Sequence, residues 1–211
     1  MAGDARIVIA DGHADTGHVA AFERDRRELI RRGLGFGGAV VAASTIPLLL
    51  GVRNAFAESD TDEKILDKAI TLERVAVLAY DRIIGGGLLE DRVERLARLL
   101  RGHERQHADV LTTALTDLGG TPPPAPSGLK DIDAVVEGLG DVSTQADVLS
   151  FAIELETAAV AAYFEAHAKF VEAKLLQTGA SIMASEGQHL VVLRQAAGRP
   201  PVPNALETGE R

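Results

Sequence analysis

Apolar residues at Ile65, Leu66, Ala69, Leu72, Ala76, Ala79, Tyr80 and Ile83 recur three and four positions apart, the period of one face of an α-helix. Ser59 and Asp60 precede this run as cap candidates, and Gly85-Gly86-Gly87 closes it. A second amphipathic run, from about Glu90 to Leu118, places Val93, Leu96, Leu100, His107, Val110, Leu111 and Leu118 along one side and ends at Gly119-Gly120. A glycine joint that short makes the first two helices antiparallel neighbours.

Residues 121–140 contain four prolines and are too long and irregular for another hairpin turn. They read as a crossover returning along the bundle, with a short helical piece expected over Ile132–Leu139. Thr144, with Asp147 three residues later, marks the next helix start. An Ala-rich third helix is expected from Ala146 to about Phe170, and a fourth from about Glu172 to Ala197, stopped by Gly198 and Pro200. No Gly or Pro separates the third from the fourth. The tail 199–211 carries Pro200, Pro201 and Pro203 and reads as extended or disordered. The pattern predicts an all-α protein, an antiparallel four-helix bundle made of two helical hairpins joined by a long crossover.

Composition bounds this picture. With 211 residues, 46% of them apolar and 25% charged, the chain has material for one globular domain plus extras. The formal net charge of −9 removes nucleic acid from the expected partners, because clustered basic residues are absent outside the N-terminal region. Zero cysteines exclude disulfides and thiolate metal centres. The N-terminal region has its own logic. Asp25-Arg26-Arg27-Glu28-Leu29-Ile30-Arg31 leads into an apolar, glycine-rich run over Gly33–Val52, followed by Ala55-Phe56-Ala57. This is the layout of a cleavable export signal. The arginine pair resembles the twin-arginine translocation motif, with Asp25 where Ser or Thr is usual and Leu29 where Phe is usual. The expected organisation is a signal over residues 1–57 cut after Ala57, a bundle over 58–198 and the tail over 199–211. The expected location is outside the cytoplasm, periplasmic or secreted, or anchored in the membrane if the signal stays attached.

The chemistry lies in a pattern that occurs twice. Glu73 is followed by Tyr80 and then by Glu104 with His107; Glu156 is followed by Tyr163 and then by Glu186 with His189. A Glu and a His three residues apart share a helical face, so each pair offers a carboxylate oxygen and an imidazole nitrogen to one point. Each pair sits on the return helix of a hairpin whose outgoing helix carries the other Glu among apolar neighbours. Folding the hairpins together collects four carboxylates and two imidazoles in one core. Left to themselves, four buried carboxylates repel and their pKa values climb. Two divalent cations cancel their charge and turn a costly cluster into a binding site. Carboxylate and imidazole ligands without sulfur favour iron or manganese.

This pattern, over residues 59–198, resembles the ferritin-like superfamily, in particular its bacterioferritin and rubrerythrin branches. The resemblance implies a metal site of Glu73, Glu104, His107, Glu156, Glu186 and His189. In it Glu73 and Glu156 are terminal ligands, Glu104 and Glu186 bridge the metals and take part in catalysis, and each histidine holds one metal. It implies two iron ions, with manganese the alternative, and an oxidoreductase of ferroxidase or peroxidase-like type that oxidises Fe(II) or reduces O2 or H2O2. A dimanganese catalase-like enzyme and a non-catalytic metal-binding or structural protein of the cell envelope are the competing readings. Cage assembly is not expected, because a Pro-containing tail stands where storage cages place a further helix; the expected state is a monomer or homodimer. The partners expected are metal ions, O2 or H2O2 and the twin-arginine export machinery. Tyr80 and Tyr163 are open between hydrogen-bonding a ligand of the opposite hairpin, redox activity and plain core packing. His103 and His167 read as surface histidines. With Gln106, Gln188 and Glu154, they are left outside the site.

Overall fold

The computed structural model describes Phe56 and residues 61–209. The signal over 1–57, apart from Phe56, lies outside the described residues. All regular structure among the described residues is helical: α1 (Asp62–Gly85), α2 (Asp91–Asp117), a short α3 (Leu129–Asp133), a 3-10 turn (Leu139–Asp141), α4 (Gln145–His167) and α5 (Ala173–Ala196). The hairpins α1–α2 and α4–α5 form the four-helix bundle, and α3 lies in the crossover. Among the described residues no helix is long and apolar enough to cross a membrane.

Local chemistry accounts for most boundaries. Thr61, not Ser59 or Asp60, caps α1, its hydroxyl accepting from the Lys64 amide at 3.3 Å. At α4 the expected capping box forms: the Asp147 amide donates to Thr144 Oγ1 at 3.2 Å and the Thr144 amide donates to Asp147 Oδ2 at 2.9 Å. The end of α2 turns at Gly119, whose φ of 84° favours glycine, and the Gly120 amide donates back to the Leu115 carbonyl at 2.9 Å.

Three expectations shift. The crossover helix begins at Leu129, not Ile132, because the Asp131 carboxylate accepts from the Ser127 and Gly128 amides at 2.7 and 3.1 Å and starts the turn earlier. Helix α4 stops at His167, three residues before Phe170. Local turn bonds to the Glu165 and Ala166 carbonyls close it, and the turn into α5 is held from far along the chain, where the Asp62 carboxylate accepts from the Val171 and Glu172 amides at 2.9 and 3.0 Å. The tail is irregular, as its prolines require, yet it is tied to the bundle. Arg194 pairs with Glu207 at 2.8 Å, and Gly209, at φ 70°, lies so close to Thr157 and Ala161 of α4 that a Cβ there would collide with the helix backbone.

Two apolar clusters fill the bundle. One gathers Val75, Ala79, Tyr80, Ile83, Leu100, Leu155, Leu190 and Leu193 with Ile132 and Val136 of the crossover. The other gathers Ile65, Leu66, Ala69, Leu72, Leu111, Leu115, Tyr163, Leu175 and Ile182. Along α1, α2 and α5 the sequence passes from one cluster to the other across polar residues, Glu73 on α1, Glu104 and His107 on α2, Glu186 and His189 on α5; on α4, Glu156 lies just before the changeover, which runs through Ala158–Ala162. A polar layer therefore divides the core, with dry packing above and below it.

Candidate metal centre

The polar layer contains all six residues expected from the repeat. Its four glutamates are each at most 1% exposed and His189 is 2% exposed. Two overlapping ligand groups form. One is Glu73, Glu104, His107 and Glu186; the other is Glu104, Glu156, Glu186 and His189, and in each the candidate ligand atoms lie within 4.8 Å of one another. Glu104 and Glu186 belong to both. His107 Nδ1 stands 2.9 Å from Glu186 and 3.5 Å from both Glu73 and Glu104. His189 Nδ1 stands 3.0 Å from Glu186, 3.1 Å from Glu104 and 3.4 Å from Glu156. Each shared carboxylate is thus within reach of both imidazoles, while Glu73 and Glu156 each face one.

These atoms are under-used by the protein. Glu104 Oε1, both carboxylate oxygens of Glu186 and His107 Nδ1 are buried without a well-formed hydrogen bond. Orphaned acceptors this deep are uncommon and costly. All of them point into the space between the four helices, and a hard cation with oxygen and imidazole ligands fits that donor set.

The electrostatics agree. Burial pushes the Glu73 carboxyl well above its ordinary range, and the charges of Glu186 and Glu104 push the same way. Burial and the neighbouring Glu186 raise Glu156 to about 7. Burial also acts upward on Glu186, but contacts with the two imidazoles outweigh it and leave that carboxyl below its usual value. Burial lowers the histidines; the carboxylates around them reverse this, raising His107 to about 12 and His189 far above its ordinary value. Burial and like charge thus favour the neutral carboxyls of Glu73 and Glu156, while the surrounding carboxylates favour the charged imidazoles.

The tyrosines resolve one open choice. Tyr80 of α1 donates to Glu156 Oε1 of α4, and Tyr163 of α4 donates to Glu73 Oε1 of α1. Each phenol therefore orients the carboxylate that the repeat assigns to the opposite hairpin. Burial first, and then the adjacent carboxylate, raises both phenols well above their usual pKa, so both stay protonated as donors.

Gln106 and Gln188 are exposed and bond to carbonyls of their own helices, Gly102 and Ala184. His167 bonds to the Tyr163 carbonyl and takes no part in the site. His103 is half-buried and belongs to neither ligand group, but it touches the site: its Nδ1 lies 3.0 Å from His189 Nε2 and its ring stacks on that of His189 with centroids 5.2 Å apart. Its position one residue before Glu104 is the available signal, but on a straight helical wheel that points it away from the carboxylates.

The family described as the ferritin-like domain matches residues 61–199. No curated protein matches the chain. A crystal structure of a conserved hypothetical protein from Mycobacterium tuberculosis is similar in fold, with 19% sequence identity and a TM-score of 0.56, covering 75% of this chain and 99% of the other.

Proposed function

The chain belongs to the ferritin-like domain family, and on that premise we propose that it is an exported dinuclear metal protein, holding two iron ions and oxidising Fe(II) with O2 or H2O2 as electron acceptor. The observation that carries this reading is the pair of overlapping buried ligand groups that share Glu104 and Glu186. Iron held there would supply one electron per ion to the oxidant. The protein's own residues do the rest. His107 and His189 would each hold one ion through Nδ1, and Glu73 and Glu156 would close the ends. Tyr80 and Tyr163 fix those two carboxylates. Glu104 and Glu186, within reach of both imidazoles, are the groups placed to carry a proton across the centre. The apolar clusters on either side keep bulk water out, and the partly exposed ring of His107 marks the side open to solvent.

The test is metal analysis of the purified protein followed by aerobic Fe(II) oxidation, compared with Glu104→Ala. Two metal ions per chain and loss of rapid oxidation in the variant are expected. Equal rates in the two proteins would exclude catalysis at this centre, and manganese in place of iron would move the reading to a catalase-like enzyme. Export is proposed from Arg26-Arg27 and the apolar run behind them. Replacing both arginines with lysine is expected to hold the protein in the cytoplasm; normal export of that variant would remove the twin-arginine route.

A further inference from the structure

The repeat makes the two halves of the centre equivalent in sequence, but the surroundings of the two histidines differ. A histidine that binds a cation through Nδ1 carries its proton on Nε2, which then needs an acceptor. For His189 two candidates are in place: His103 Nδ1 at 3.0 Å and Ser185 Oγ at 3.3 Å. Those two residues are themselves counterparts, since each directly precedes the Glu of its Glu-x-x-His motif. Both contacts converge on His189. His107, one turn beyond His103 on the same helix, has no partner at Nε2 among the described residues, and its side chain is 12% exposed against 3% for His189.

We propose that His103 is a positioning residue for His189, its Nδ1 accepting the Nε2 proton, so that the Glu156–His189 position binds its metal more tightly than the Glu73–His107 position. This rests on the dinuclear reading above. The hydrogen bond and the stacked ring hold the His189 imidazole at one angle to Glu104, Glu156 and Glu186 and fix its Nε2–H tautomer, leaving Nδ1 free for the cation. His107 meets the carboxylates of Glu73, Glu104 and Glu186 at Nδ1 and stacks on His189 at a centroid distance of 6.0 Å, but no hydrogen-bond partner among the described residues holds its Nε2. Removal of such an outer partner typically weakens metal affinity about 10- to 100-fold.

The experiment is calorimetric titration of the metal-free full chain with Co(II), read together with the Co(II) absorption bands. Wild type, His103→Leu and His103→Asn are compared, each also in Glu73→Gln and Glu156→Gln backgrounds that leave one position. Asn is the informative replacement, because its side-chain oxygen stands where Nδ1 stood. The expected result is two unequal sites in wild type. His103→Leu then weakens binding about tenfold or more and shifts the Co(II) bands in the Glu73→Gln background, changes binding less than about threefold in the Glu156→Gln background, and is rescued by Asn. Equal weakening in both backgrounds, no weakening in either, or an Asn variant as poor as Leu would overturn the assignment to His103. Failure of the wild-type chain to bind two ions is a different outcome: it removes the dinuclear reading itself.

Discussion

Stripping the metal should leave a bundle whose stability falls as pH rises through the range where most proteins are indifferent. Glu156 is buried beside Glu186, and its carboxyl is raised from 4.5 to about 7. The folded state therefore keeps a proton that the unfolded chain releases near 4.5. That advantage is fully present below pH 4.5 and is lost as pH passes 7. A shift of this size corresponds to about 3 kcal/mol at roughly 1.4 kcal/mol per unit. For a domain of this length that is on the order of 10 °C in Tm. His107 acts with the same sign over a later window. Its folded value of about 12 exceeds the ordinary 6.5, so its contribution is complete below 6.5 and declines above it.

The assay is thermal unfolding of chelator-treated protein at pH 5, 6.5 and 8, repeated with saturating Co(II) or Fe(II) under anaerobic conditions. The metal-free protein should melt highest near pH 5. With metal the order should invert, because the cation displaces the protons held by Glu73, Glu156 and the two imidazoles, and its grip tightens as they leave. Loading near pH 6 in weak buffer should accordingly release protons. A metal-free Tm that is flat or rises from pH 5 to 8, with no proton release on loading, would show that these carboxylates are not crowded together in a dry core.

Two further expectations follow from packing outside the ligands. Tyr80→Phe and Tyr163→Phe each remove one hydrogen bond to a terminal carboxylate, and each should cost about 2 kcal/mol in metal-loaded stability while leaving two ions bound; a loss of one ion in either variant would make the phenol essential to coordination. Phe56 is 3% exposed in the cluster formed by Leu66, Leu72 and Leu111, so Phe56→Ala in the uncleaved chain should destabilise the bundle by about 3 kcal/mol. An unchanged Tm would show that the residue does not belong to the core, as cutting after Ala57 would require.

What the sequence disclosed and what it withheld divide along a physical line. The helices, their antiparallel pairing and the six candidate ligands rest on spacings within a helix or within one hairpin, and those are carried by neighbours in the chain. The turn after α4 was hidden because Asp62, on another helix, holds it. The anchored tail was hidden because Arg194 and the surface of α4 hold it. His103 was hidden for a related reason: a helical wheel fixes its direction from α2, but not that the ring of His189 would lie in that direction. The duplicated motif predicts a centre with two equal halves, since equal sequences demand equal local geometry. Inequality enters where His103 and Ser185 occupy equivalent places in the repeat with different side chains: Ser185 reaches His189 within its own helix, and His103 reaches it from the other hairpin. An imidazole on one side and a hydroxyl on the other cannot serve both ligand histidines alike. The departure from symmetry at the centre is written into those two positions, and the bundle converts it into a difference at His189.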